Sequence, residues 1–439
     1  MKEGERTEIK TKDGNKTGII LPSTEKDTII LKLDSGYNIG IDKKNIISSK
    51  TIDKESKTSK KWEKMLDEEK KTAHKEENNK NLKTILILHT GGTIASRVSY
   101  KTGAVAPNFS PEELLQIFPE LKNLVNIKSK LAGIMFSEDM RFAHYNRLAK
   151  EIEKEINNVD GIIITHGTDT LAITSAALAF ALENLNKPVI LVGAQRSSDR
   201  PSSDAALNLI CAAQFIAKTE YNEVAICMHG KSSDEDCYIL PATKTRKMHS
   251  SRRDAFKAIN SKPIAEVTKT GNVKFLEHYN KKEHSEKLKL KLYNEKLKIG
   301  ILRAHPNMFA DEIKNYSKFD GLIIEGYGIA GNFPINVVDK ETKEHDIILK
   351  ELTKLSKKIP VVATTQCIFG NVNMNVYDTG RKQQEAGILG NLLDMTTETA
   401  FIKLAWLLSN YKDKETRELI SKNLRGEINH RIEYQEEFI

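Results

Sequence analysis

Only four cysteines occur in the 439-residue chain, at Cys211, Cys227, Cys237 and Cys367, scattered and without a CxxC pair. That argues against a structural zinc site and for a reducing compartment. Long hydrophobic runs are missing too. None reaches about 18 residues, so no transmembrane span and no membrane association are expected. The start, MKEGERTEIK, lacks an apolar h-region, so no signal peptide is expected and a cytoplasmic location is. There is no internal repeat and no low-complexity tract. The hydrophobic content, 39%, is moderate but enough for a real core, and the length suits two or three domains. The net charge is +8, but 68 Lys and Arg stand beside 60 Asp and Glu, so charge alone is weak evidence for an RNA surface.

What the chain does have is two strand-like runs ending in loops of glycine and threonine. Residues 84–96 read TILILHTGGTIAS and residues 159–170 read VDGIIITHGTDT. A short apolar run bounded by glycine suits a fully buried parallel strand. Glycines directly after it allow a sharp turn and close ligand approach, and open α/β sheets place ligands at such strand ends. Strand-like runs at 85–88, 162–165, 189–194 and 223–228 alternate with helical runs at 142–156 and 171–184. A second set at 298–304, 319–328 and 359–367 has helix signals at 341–358 and 394–410. The alternation predicts a parallel sheet with helices on both faces. Threonines beside Asp169 suggest nucleophilic chemistry, which needs an activating base. The segment PATKTRKMHSSRRDAF at 241–256 could supply one from Lys244 or Lys247, because a buried lysine can take a proton from a hydroxyl. A solvated basic loop is the alternative. His249, Arg252 and Arg253 could touch RNA or cap a helix. His89 and His166 read as buried histidines that brace the two loops.

TGGTIA at 90–95, THGTDT at 165–170 and VGAQR at 192–196 resemble the signature blocks of type I and II L-asparaginases. NVYDTGR at 375–381 and GILGNLLDMTTETAFIKLAWLL at 387–408 carry the resemblance to about residue 410. It implies hydrolysis of a side-chain amide. A carboxamide is a poor electrophile with a poor leaving group, so an amidase needs a nucleophile, a proton shuttle and an oxyanion site. By the resemblance Thr93 is the nucleophile, Thr90 is structural, and Thr168, Asp169 and a lysine form the proton-carrying group. The family places that lysine nine residues before the phenylalanine of DAF (254–256), which is Lys247. On this register Lys247→Met is expected to be severely impaired and Lys244→Met mild. Asp169 also sits where the family binds the substrate's α-amino group. Ser137 matches the serine that holds the α-carboxylate, Glu138 faces the amino group, and Gly167 is placed among the substrate-binding residues. Ala194 offers its backbone carbonyl near the leaving group. Tyr100 matches the mobile tyrosine that closes over the nucleophile, with a surface loop tyrosine as the alternative. The glutamate that type II enzymes borrow from a neighbouring protomer has no counterpart here, Glu385 being off register. No metal site is implied.

Short β-type runs and turn signals alternate through residues 3–46, the pattern of a small antiparallel barrel of roughly five strands. LKLDSGYNIGI within it resembles the amino-terminal domain of the GatD family, the glutaminase subunits of archaeal Glu-tRNA(Gln) amidotransferases. NLRGEINHRIEYQEEF at 423–438 resembles that family's carboxyl end. The expected fold class is α/β, a two-subdomain asparaginase-type parallel-sheet core preceded by an SH3-like all-β barrel. The expected units are the barrel (1–48), a charged linker helix (49–83), the first α/β subdomain (84–277), a connector (278–297), the second α/β subdomain (298–410) and a helical tail (411–439). In the linker region mixed charges recur at helical spacing, with a disordered linker as the alternative. The resemblance implies hydrolysis of glutamine or asparagine to supply ammonia for converting Glu-tRNA(Gln) to Gln-tRNA(Gln). It further implies a GatE-type partner that uses ATP and Mg, no cofactor bound by this chain, tRNA reached through the complex, and a homodimer within a heterotetramer. A free-standing cytosolic L-asparaginase and a non-catalytic RNA-binding scaffold are the competing readings. Neither barrel nor tail is expected to be needed for the chemistry, so both are candidate partner contacts.

Overall fold

The computed structural model describes residues 5–21, 23, 27–33, 38–53, 79–91, 96–98, 105–107, 118–196, 202–277, 279, 281, 283, 286–432 and 434. Five short strands come first: β1 (Arg6–Thr11), β2 (Gly14–Leu21), β3 (Thr28–Leu33), β4 (Asn38–Asp42) and β5 (Ile46–Asp53). They form an antiparallel sheet of order β4-β3-β2-β1-β5. Side chains alternate between faces along a strand, and here one face supplies Ile9, Ile20, Ile29, Leu31 and Ile41 to a separate small core. The expected all-β amino-terminal unit is therefore present. The linker helix expected within 49–83 falls mostly at 54–78, outside the described residues.

The main sheet has eight strands. Five are parallel: β6 (Thr84–His89), β9 (Asn126–Leu131), β10 (Gly161–Thr165), β12 (Val189–Val192) and β13 (Val224–His229), in the order β9-β6-β10-β12-β13. Antiparallel β14 (Asp236–Pro241), β17 (Ala265–Thr268) and β18 (Val273–Phe275) extend the β13 edge. The expected parallel sheet is thus mixed, because only residues 230–235 join β13 to β14, too few for a parallel crossover. Short β7 (Ser96–Val98) and β8 (Val105–Pro107) pair with each other apart from the sheet.

Burial on both faces explains the runs of isoleucine and leucine. Leu86, Leu88, Ile162 and Ile164 pack in one core with helices α1 (Phe142–Glu155) and α2 (Leu171–Ala181). Ile85, Ile87 and Ile163 pack in a second core with α3 (Ala205–Lys218). The chain leaves β6 toward β9 on one side and leaves β10 toward β12 on the other. A topological switch point therefore lies at the carboxyl ends of β6 and β10, the position where open α/β sheets hold ligands.

The second unit is a parallel sheet, β20 (Ile299–Arg303), β21 (Gly321–Gly326) and β22 (Val361–Thr365), with helices α4 (Ala310–Lys314), α5 (Glu344–Lys358), α6 (Asp378–Glu385) and α7 (Thr397–Asn410). Trp406 of α7 lies 5.4 Å from Phe180 of α2, ring to ring, so the two units share one core. The segment read as a polar connector is partly built in. Its β19 (Lys289–Leu290) pairs with β11 (Leu182–Glu183), and buried Tyr293 donates from its hydroxyl to the Ala177 carbonyl at 2.9 Å. Among the described residues no helix is long and apolar enough to cross a membrane.

The tail departs from expectation. Among its described residues it is helical only over α8 (Asp413–Leu419). Beyond that, Glu427 is fully buried and pairs with equally buried Lys403 of α7 at 2.6 Å. Its carboxylate accepts the backbone N–H groups of Leu424 at 3.0 Å and Arg425 at 2.6 Å, which fold the chain back on itself and rule out a helix there. Arg425 Nε donates to the Ala179 carbonyl at 3.1 Å. Residues 424–429 are thus a seam between the two subdomains, with Glu427 and Ile428 buried and Gly426 exposed.

Candidate active site

Three loops at the carboxyl end of the main sheet are tied together by their own side chains. The Thr90 hydroxyl and backbone N–H both donate to the Thr165 carbonyl, at 2.9 and 3.2 Å, so the loop after β6 is fastened to the end of β10. His89 is held on both ring nitrogens at 3.0 Å, by the hydroxyls of Thr165 and Ser129. Gly91 has φ +106°, and a Cβ there would lie 2.5 Å from the Met135 carbonyl oxygen, so only glycine fits. Thr93, two residues further on, and Tyr100 lie outside the described residues.

The loop after β10 carries His166, Gly167, Thr168 and Asp169. Gly167 packs so closely on Ser137 that an added Cβ would meet the Ser137 Cβ at 2.9 Å. Thr170, the last residue of the THGTDT block but given no role from the sequence, fixes Ser137: its hydroxyl donates to the Ser137 carbonyl at 2.6 Å and its N–H to the Ser137 hydroxyl at 3.4 Å. Ser137 is buried and Glu138 exposed. Ala194 is buried just beyond β12, beside Gly193, whose added Cβ would meet the Thr168 methyl at 2.9 Å. Two buried groups that carried no sequence signal hold this loop. The Asp204 carboxylate accepts the N–H groups of Gln195 and Arg196, both at 3.0 Å, and Asn208 Nδ2 donates to the Gly193 carbonyl at 3.0 Å.

Lys247 arrives from a separate hairpin, β15 (Thr245–Lys247) with β16 (Phe256–Ala258). The nine-residue spacing to Phe256 is a cross-strand pairing, because Lys247 stands directly opposite that buried phenylalanine. Lys247 Nζ donates to the Thr168 hydroxyl at 2.9 Å and to the Asp169 carboxylate at 2.8 Å. The lysine side chain is 14% exposed and Asp169 68%, so the group is closed behind and open in front. Chemically, this is a hydroxyl between a lysine nitrogen and the solvent side of the strand ends, with a carboxylate beside that nitrogen. It can relay a proton.

Lys244 does something else. It forms a buried pair with Asp394 at 2.7 Å, and burial pulls its ammonium below the usual lysine range while Asp394 opposes that shift. The expectation that Lys244→Met is mild is therefore corrected: removing it strands a buried carboxylate, at a cost of about 3–5 kcal/mol. The other basic residues brace the hairpin turn, two by contacts within it and one by a contact to the β13–β14 connection. His249 Nδ1 accepts the N–H groups of Ser251 and Arg252 at 3.1 Å, Arg252 pairs with Asp254 at 2.7 Å, and Arg253 pairs with Asp234.

Burial lowers the pKa of both His89 and His166 to about 4. Neither is charged at neutral pH, which suits bracing and not general-base work. An unfolded histidine titrates near 6.5, so between about pH 6.5 and 4 the unfolded chain binds more protons than the folded one, and stability falls as pH falls. At pH 5 the loss relative to pH 7.5 is expected to be about 2 kcal/mol for each histidine. Urea unfolding at the two pH values checks this, with His89→Gln expected to remove about half of the difference. Equal stability at both pH values would contradict the assignment.

Sequence and structure comparisons agree with this geometry. The family profile for the Asparaginase N-terminal domain matches residues 84–281, the Glutaminase/Asparaginase C-terminal domain matches 298–420, and the GatD N-terminal domain matches 1–52. The glutamyl-tRNA(Gln) amidotransferase D subunit of Pyrococcus furiosus is 43% identical, covering 96% of this chain and 93% of its own length. That of Methanococcus maripaludis is 41% identical, covering 98% and 99%. Among solved structures, the thermostable L-asparaginase of Thermococcus kodakarensis superposes with a TM-score of 0.69 at 30% identity, over 79% of this chain and 100% of its own. L-asparaginase I of Vibrio cholerae gives 0.67 at 28%, over 79% and 99%. The chain belongs to the glutaminase/asparaginase family, in its GatD branch of glutamyl-tRNA(Gln) amidotransferase subunits.

Proposed function

We propose that this chain is the glutaminase component of a Glu-tRNA(Gln) amidotransferase, releasing ammonia from glutamine or asparagine for a partner of the GatE type. The Lys247–Thr168–Asp169 group carries the reading of the chemistry, and the near full-length likeness to GatD proteins supports the reading of the context. Thr93 attacks the side-chain amide carbon, and the amide nitrogen takes up a proton and leaves as ammonia. Water then hydrolyses the Thr93 ester, which returns the free threonine. Thr168 carries protons between the reacting atoms and Lys247, and Asp169 balances the charge on Lys247. Asp169, Glu138 and Ser137 hold the substrate's amino and carboxylate groups, and the Ala194 carbonyl and Gly167 line the amide. Tyr100 closes over Thr93. The chain itself binds no cofactor; the partner uses ATP and Mg. The working assembly is a cytoplasmic homodimer within a heterotetramer, and tRNA is reached through the complex.

Ammonia wasted in solution is costly, so turnover of free glutamine by this chain alone is expected to be slow and to rise when partner and charged tRNA are added. Deleting residues 1–48 is expected to weaken that stimulation and spare basal turnover, since the first unit has its own core. Ammonia release measured for the full-length and shortened proteins checks both. Fast turnover indifferent to partner, tRNA and truncation would point instead to a free-standing asparaginase.

A further inference from the structure

The hairpin that carries Lys247 belongs to the first subdomain in sequence, yet its root is fastened to the second subdomain and the tail. Lys244, three residues before Lys247, is 3% exposed and pairs with Asp394, itself 2% exposed. The Asp394 carboxylate also accepts the backbone N–H of Asn429 at 3.1 Å, and its backbone carbonyl accepts Asn260 Nδ2 at 3.1 Å. The Asn429 side-chain amide donates to the Asn260 carbonyl. Across the hairpin, the Lys244 carbonyl accepts the Ile259 N–H at 2.7 Å. Arg246 pairs with Glu398 at 3.2 Å, and the Thr399 hydroxyl donates to the Thr243 carbonyl at 2.8 Å. The open end of the hairpin is thus held by residues 394–399 and the tail, while Lys247 reaches Thr168 at 2.9 Å.

A buried ion pair is a weak device for stability alone, because apolar residues of similar volume often do as well; its best-attested use is to fix register. Register matters here. A slip of one strand residue moves a side chain by about 3.3 Å and turns it to the opposite face, and a misplacement of about 1 Å can cost about 10²-fold in rate. We propose that Lys244, Asp394 and Asn429 are positioning residues for Lys247: the Lys244–Asp394 pair, held by the tail through Asn429, sets the register of the hairpin and so the contact between Lys247 Nζ and the Thr168 hydroxyl. This rests on the amide-hydrolase reading above and adds three residues that touch neither substrate nor the reacting atoms.

The test is steady-state ammonia release from glutamine by the full-length chain, expressed per folded molecule well below the melting temperature, for wild type, Lys247→Met, Lys244→Arg and the double variant Lys244→Met/Asp394→Leu. The double variant replaces both charges with apolar groups. It is expected to fold and to lose about 10- to 100-fold in kcat with KM within about threefold of wild type. Lys244→Arg keeps the pair and is expected to stay within about threefold in kcat. A merely structural role would lower the melting temperature and leave kcat per folded molecule unchanged. A folded double variant with wild-type kcat overturns the proposal while leaving the amide-hydrolase reading intact. If the double variant does not fold, Asp394→Asn takes its place under the same criterion. A wild-type chain that releases no ammonia overturns the hydrolase reading, and this inference with it.

Discussion

Lys247→Met is expected to lower ammonia release from glutamine by about 10²- to 10⁴-fold, the range typical of a lost proton-transfer group, with no comparable loss of folded protein. The lysine ends its short strand with Nζ on the Thr168 hydroxyl and the Asp169 carboxylate, and neither contact joins a structural core. Thr168→Ala is expected to fall in the same range. The double variant should be hardly worse than either single one, because groups that act as a unit are strongly non-additive. Thr93→Ala is expected to be the most damaged, by several orders of magnitude, since it removes the nucleophile itself. Steady-state ammonia release, with thermal melts as the folding control, checks the set. Near-normal turnover in Thr168→Ala or Thr93→Ala would remove this mechanism.

A large effect on stability is expected at the second buried ion pair, outside the reacting group. Glu427→Leu is expected to destabilise the chain by about 3–5 kcal/mol, because it leaves the buried Lys403 ammonium without its counter-charge. It also strips the Leu424 and Arg425 N–H groups of their acceptor. An exposed pair such as Lys350–Asp346 provides the contrast: Asp346→Ala is expected to change stability by about 0.5 kcal/mol or less. Urea midpoints for the two variants measured side by side test this. A Glu427→Leu midpoint equal to wild type would mean that the tail is not the seam described above.

The parts of this molecule that were legible in its sequence are those whose physical cause is local. The runs ILIL and IIIT are buried on both faces, and Gly91, two residues past β6, has a backbone conformation that other residues rarely adopt. Lys247 could be distinguished from Lys244 only by the family resemblance, which sets its lysine nine residues before the phenylalanine; in the structure that spacing is a cross-strand pairing. The rest depended on partners remote in the chain. Lys244 and Asp394 are 150 positions apart, and in a lysine-rich sequence nothing marks one lysine as buried. The tail segment GEINH reads as solvated and helical because its charges are visible and their burial is not. The mixed sheet was missed for a related reason: β17 and β18 are short, and the exposed edge strand β18 carries little apolar pattern.

The most direct test of the whole account follows one nitrogen atom. Glutamine labelled with nitrogen-15 in its side-chain amide is incubated with the full-length chain, its GatE-type partner, ATP, Mg and Glu-tRNA(Gln). The tRNA-bound amino acid is then recovered and its amide isotope measured. The account predicts label in the amide of Gln-tRNA(Gln), its loss with Lys247→Met, and restored but unlabelled product when ammonium chloride is added to that variant. Label found only as free ammonium, at a rate indifferent to partner and tRNA, would contradict it.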